Sequence, residues 1–153
     1  MTDLGSLPGW LMWDASINDS GQIAGGRLSE QVGWGYINAF LYSDEKMTSL
    51  EWPGGFANDI NSNGQVVGGH SFLYSDGVTT DLENLISPAP GWNLLDLHGI
   101  NDRGEIVGYG WNNATHTGYH AVLLTPVPEP TTITLLVAGM VSLFCVVRRR
   151  RKH

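Results

Sequence analysis

Cysteine is nearly absent: Cys145 is the only one in 153 residues. An internal disulfide is excluded, and with it a disulfide-stapled scaffold. Charge is scarce too, at 15% Asp, Glu, Lys and Arg, well under the quarter or so typical of soluble domains. What charge there is nets to −7, which argues against nucleic acid as a partner. Met1–Gly9 has no basic n-region and no apolar h-region, so it is not a secretory signal peptide. Catalytic signatures are missing as well. There is no Gly-x-Ser-x-Gly elbow, no phosphate loop and no Cys/His pair. His70, His98, His116 and His120 do not have metal-ligand spacing on a helix. Asp59-x-Asn61-x-Asn63-Gly64 opens like a calcium loop, but its twelfth position is His70 rather than a bidentate Glu, and a hairpin turn is the better reading. Neither a metal nor a cofactor is expected, and the chain reads as a non-enzyme.

Glycine and tryptophan are what the chain has in quantity, 20 and six residues. Together with the tyrosines they point to turns and aromatic strands, so to an all-β body. Charge divides sharply along the chain. Residues 1–126 hold 14 acids against Arg27, Lys46 and Arg103, a net of −11, whereas residues 127–153 net +4. At the boundary stands Pro126-Val127-Pro128-Glu129-Pro130. An uncharged stretch follows over residues 131–147, then Arg148, Arg149, Arg150, Arg151, Lys152 and His153. Apolar side chains cover every face of 131–147, and as a helix it would span roughly 25 Å. The sequence therefore predicts one C-terminal transmembrane helix, with Arg148 to Lys152 as stop-transfer signal and cytoplasmic tail. Cys145 is apolar filler within it. The positive-inside rule puts the acidic body outside the cytoplasm.

The body is internally repetitive. Ile-Asn-x-x-Gly-(Gln/Glu)-(Ile/Val)-x-Gly occurs at Ile17–Gly25, Ile60–Gly68 and Ile100–Gly108, spaced by 43 and 40 residues. A second string follows each copy: Ala39-Phe40-Leu41-Tyr42-Ser43-Asp44, Ser71-Phe72-Leu73-Tyr74-Ser75-Asp76 and the weaker Ala121-Val122-Leu123-Leu124-Thr125. A third reads Met47-Thr48-Ser49-Leu50, Thr79-Thr80-Asp81-Leu82 and Met1-Thr2-Asp3-Leu4. Linked strings in constant order mark a repeat. The Asn-x-x-Gly segments are turns with glycine at positive φ, Phe-Leu-Tyr-Ser is a strand, and Asp76-Gly77 is a second hairpin turn. The expected architecture is an antiparallel β-repeat array of propeller-like blades, about 40 residues and four strands each. A β-solenoid or an open sandwich is the alternative. The division is a body over residues 1–126 (repeats about 1–46, 47–78 and 79–126), a motif at 127–130, the helix at 131–147 and the tail at 148–153. Three blades do not close a typical propeller, and Met1 is placed like Met47 within a repeat. The chain is therefore read as the last three repeats of a longer one, whose upstream repeats and signal peptide precede Met1.

These strings resemble the bacterial HAF repeat family of extracellular proteins; the His-Ala-Phe position reads Asn38-Ala39-Phe40, His70-Ser71-Phe72 and His120-Ala121-Val122. The tail resembles a PEP-CTERM sorting signal, in Val127-Pro128-Glu129-Pro130, the apolar stretch and the arginine cluster. Such a tail is also labelled an ice-binding protein C-terminal domain, a label silent about what this body binds. The resemblance implies cleavage near Pro128, Glu129 and Pro130 by an exosortase, after transient anchoring in the inner membrane. It also implies a bacterium that makes exopolysaccharide, and a body released or displayed at the cell surface within a biofilm matrix. Prolines keep Pro128–Pro130 extended and accessible.

Two longer connections carry aromatics that could stack on sugar rings: Trp34 and Tyr36 in one, Tyr109 and Trp111 in the other. Packing of blade against blade is the preferred role for these rings, ahead of sugar binding. Three functions stay open: a non-catalytic exported surface or matrix protein, which is preferred; a carbohydrate-binding module using the four aromatics, with exopolysaccharide as partner; and a glycan-active enzyme. An enzyme would need paired acids in a cleft, and nothing in the sequence pairs Asp14, Glu30 and Glu51.

Overall fold

The Asn-x-x-Gly strings close hairpins because asparagine can bond its own backbone. The computed structural model of the protein describes residues 1, 4, 12–28, 37–86, 91–113 and 118–127, and the three turns in it share one geometry. The backbone N–H of Asn18, Asn61 and Asn101 donates to the carbonyl four residues on, at 3.0–3.1 Å. The carbonyl of each Asn accepts from the turn glycine at 2.9–3.0 Å. Each Asn Oδ1 accepts two further amides, such as Asn63 N at 3.1 Å and Gln65 N at 2.9 Å on Asn61. The glycines Gly21, Gly64 and Gly104 have φ of 77°, 75° and 74°, a left-handed conformation that L side chains resist.

Eleven strands build three antiparallel sheets among the described residues. The first is β1 (Met12–Ile17), β2 (Ile23–Leu28), β3 (Ile37–Ser43) and β4 (Lys46–Pro53), in that order. The second is β5 (Ala57–Ile60), β6 (Val66–Gly68), β7 (Phe72–Ser75) and β8 (Val78–Asp81). The third has β9 (Trp92–Ile100), β10 (Ile106–Asn112) and β11 (Tyr119–Leu124), with β10 in the middle. Two-residue turns join β3 to β4 and β7 to β8. Asp44-Glu45 and Asp76-Gly77 have positive φ at both positions, the primed hairpin geometry that suits strand twist.

The last glycine of each string has a different task. Gly25, Gly68 and Gly108 face a bulge in the preceding strand, at Trp13/Ala15, Ala57/Asp59 and beside Leu97. A Cβ there would collide with the carbonyl oxygens of Asp14, Phe56 and Asp96 respectively. The bulge and the missing side chain therefore belong together.

Side chains of the turns join one sheet to the next. Asn18 Nδ2 donates to Asn61 O at 2.9 Å, and Asn61 Nδ2 donates to Asn101 O at 2.9 Å. Asp59 adds a second tie: its carboxylate accepts from Ser16 Oγ at 2.8 Å in the first sheet and from Ile100 N at 2.9 Å in the third. The first two repeats also bind their own second string through glutamine. Gln22 Nε2 donates to Ser43 Oγ at 3.1 Å, and Gln65 Nε2 to Ser75 Oγ at 3.4 Å.

Apolar packing follows the same direction. One core lies between the first and second sheets, with Ala24, Leu41 and Leu50 against Ile60, Val66 and Phe72. The other lies between the second and third, with Val67 and Leu82 against Leu94, Leu97, Ile100 and Ile106. Each fully buried Leu, Ile or Phe contributes about 1.5–3 kcal/mol.

The expected architecture needs correction on three points. The described sheets stand in an open row and form no closed propeller. Among the described residues the third sheet has three strands, and after β11 the chain reaches Pro126, which has no N–H to give to a ladder. The predicted transmembrane helix is not found among the described residues: the helical element there is the 3-10 turn Leu82–Asn84, and none of these residues forms a helix long and apolar enough to cross a membrane. Residues 131–147, where that helix was expected, lie outside the described residues, as do Arg148, Arg149, Arg150, Arg151 and Lys152.

Candidate functional site: an aromatic face on the third sheet

Strand β10 reads Ile106-Val107-Gly108-Tyr109-Gly110-Trp111-Asn112. Alternate residues of a strand share a face, so Val107, Tyr109 and Trp111 lie on one side and Gly108 and Gly110 on the other. The glycine side lets β9 come close: a Cβ on Gly110 would meet Asn93 O at 2.7 Å. The aromatic side is turned away from the core that buries Ile106.

Four rings meet on this outer face. Tyr109 stacks on His98 of β9, with centroids 5.4 Å apart and planes at 26°. Tyr119 of β11 touches Tyr109 edge-on at 5.7 Å and Trp111 edge-on at 5.6 Å. Trp111 and Tyr119 are direct cross-strand partners, the arrangement in which side chains support one another most. Tyr119 is 72% exposed. A row of rings held edge to face and open to water can take a flat ligand with an apolar face and polar rim. Asp96 is adjacent, its Oδ2 4.0 Å from His98 Nε2. Among the described residues no three of His, Cys, Asp and Glu are grouped as metal ligands.

Of the aromatics singled out from sequence, Tyr109 and Trp111 thus lie together on a strand rather than in a loop, and they point outward. Trp34 and Tyr36 are outside the described residues. His98 and Tyr119 were not singled out. The alternation Gly-Tyr-Gly-Trp was the signal available: period-two aromatics separated by glycine mark one strand face. The calcium-like residues are engaged otherwise. Asp59 and Asn61 tie sheets together, and Asn63 Nδ2 donates to Asp102 O at 3.0 Å.

The third turn differs from the others in carrying Glu105 where they carry Gln22 and Gln65. Its carboxylate accepts from Asn101 Nδ2 and from Arg103, whose Nε lies at 3.0 Å. The Asn101 hydrogen bond, reinforced by Arg103, holds the Glu105 carboxyl below the usual carboxylate range. A lowered folded-state value stabilises the turn above the ordinary carboxylate pKa, and that contribution is lost as pH falls through the folded value. Glu105→Gln should keep the turn and remove this part of its acid sensitivity. Amide chemical shifts of Arg103 and Gly104 across an acid titration read it directly, and an unchanged acid transition in the variant would contradict it.

The body passes to its tail beside this same turn. Pro126 Cγ sits 3.2 Å from where a Gly104 Cβ would be, and Pro126 and Val127 are exposed. Pro128, Glu129 and Pro130 lie outside the described residues. No curated protein and no solved structure matches the chain. Residues 126–152 match the PEP-CTERM protein-sorting motif, the signal of proteins directed to an exosortase for export.

Proposed function

We propose that the protein is a non-catalytic exported protein, processed by an exosortase at Pro128-Glu129-Pro130, whose β-repeat body is left at the cell surface or in an exopolysaccharide matrix. The observation that carries this reading is the sorting motif over residues 126–152. An acidic body with few cations and the likeness of its strings to HAF repeats of extracellular proteins agree with it. Fractionation and intact mass in an exosortase-positive host test it. Loss of the residues after the Pro128-Glu129-Pro130 region, abolished by deleting the exosortase, is the expected result. A full-length chain in both strains would overturn it.

The aromatic face favours a second role for the same body, contact with carbohydrate. His98, Tyr109, Trp111 and Tyr119 form a continuous row of rings where a sugar ring could stack, with Asp96 at hand for hydroxyls. Trp111→Ala and Tyr119→Ala should each weaken co-sedimentation with the host polysaccharide about tenfold, a loss of roughly 1.4 kcal/mol. The β-sheet circular dichroism should persist, because this face is outside both cores. Undiminished co-sedimentation of both variants would reject the role.

A further inference from the structure

Among the described residues the repeat contact is made twice, and it is left half-made at each end of the row of sheets. On the downstream side of each sheet a cross-strand pair receives the next sheet: Ala24 with Leu41, Val67 with Leu73, and Val107 with Leu123. The first two pairs are covered by sheets two and three. Among the described residues no sheet lies on the third, and Val107 and Leu123 are 49% and 62% exposed. On the upstream side the isoleucine before each turn inserts into the previous sheet. Ile60 and Ile100 are buried this way, whereas their counterpart Ile17 is 66% exposed.

The turn ladder is open at the same two ends and with matching polarity. Asn18 and Asn61 each spend one Nδ2 hydrogen on the next turn's carbonyl, while among the described residues Asn101 Nδ2 donates to its own Glu105 alone. The carbonyls of Asn61 and Asn101 each accept both their glycine and the preceding asparagine. That of Asn18 accepts Gly21 N only, among the described residues. Charge matches as well. Asn63 reaches Asp102 in the next turn. At the downstream end Arg103 stands in the place of Asn63, and at the upstream end Asp19 stands in the place of Asp102.

We infer that a second copy of this chain docks head to tail, its Ile17 on the Val107–Leu123 pair, its Asn18 carbonyl on Asn101 Nδ2 and its Asp19 beside Arg103. The contact continues the two internal ones. It is heterologous, so it closes a ring or extends a filament. It is also weaker than the internal contacts. Tyr109 stands where Gly69 bridges to Asp96, so the incoming sheet meets only the half of the face beside the turn, and the aromatic row lies outside the contact.

Sedimentation velocity of the full chain in mild detergent and reducing agent tests this across a concentration series. The wild type should gain mass with concentration. Ile17→Lys and Val107→Glu, both at exposed positions, should each weaken association at least about tenfold with an unchanged circular dichroism spectrum. An equimolar mixture of the two variants should associate again, because each interface then has either the original pair or a Lys–Glu pair. A monomeric wild type would overturn the inference. So would single variants that associate like wild type, which would place the contact elsewhere, for example in the C-terminal tail. A mixture that stays monomeric would overturn the head-to-tail arrangement.

Discussion

Asn61→Ala should destabilise the protein by about 3 kcal/mol, far more than the same change at Asn101. Asn61 is buried and makes four hydrogen bonds with one amide group. Nδ2 donates to Gln65 Oε1 at 2.7 Å and to Asn101 O at 2.9 Å, and Oδ1 accepts the amides of Asn63 and Gln65. Truncation strands donors and an acceptor that water reaches poorly, and each such group costs about 1–3 kcal/mol. It also removes one of the hydrogen bonds that tie the second sheet to the third. Asn101 has the same intraturn bonds but is exposed, and it reaches no further turn among the described residues. Its replacement should cost about 1 kcal/mol, since water can take over its partners. Asn61→Asp is harsher than alanine despite its shape, because it points an anion at the Asn101 carbonyl and the Gln65 Oε1. Urea unfolding of the full chain reads the order. Equal midpoints for the Asn61 and Asn101 alanine variants would show that the ladder between sheets contributes nothing.

The contrast explains which parts of the structure were readable beforehand. Asn-x-x-Gly encodes its turn locally, through an Asx bond and a positive φ, so three hairpins could be placed from residues alone. Asp76-Gly77 was readable for the same reason. What asparagine does with its remaining hydrogen depends on where the next sheet stands, and that is a tertiary fact. Ile17, Ile60 and Ile100 look identical as residues, yet two are buried and one is open. Closure of a ring is likewise set by the orientation of sheets, which no single repeat specifies. The aromatic face was half legible. Tyr109 and Trp111 stand out by type, but the longer connection between strings has the composition of a loop. The hairpin of β10 and β11 in fact extends into it as paired strand out to Trp111 and Tyr119. His98 and Tyr119 joined them only through register, because they come from neighbouring strands.

Gly68→Ala should cost about 3 kcal/mol, whereas Gly77→Ala should cost about 1, although only Gly77 has an unusual backbone. Gly77 has φ of 83° and nothing within 4 Å of its missing Cβ, so an alanine there meets only left-handed strain. At Gly68 the added methyl lands on the Phe56 carbonyl and 2.7 Å from Phe72 Cε1. Neither neighbour can yield cheaply. The Phe56 carbonyl accepts Gly69 N at 3.0 Å at the edge of the β5 bulge, and Phe72 is fully buried in the first core. Relieving the collision means flattening the bulge, which shifts Asp59 and its bonds to Ser16 and Ile100. The damage should therefore spread to both neighbouring sheets. Hydrogen exchange separates the two variants: Gly77→Ala should speed exchange only near the β7–β8 turn. Gly68→Ala should lower protection in β1, β5 and β9 together. Protection lost in β6 and β7 alone would mean that the bulge absorbs the methyl group and that the glycine is not what sets the spacing of the sheets.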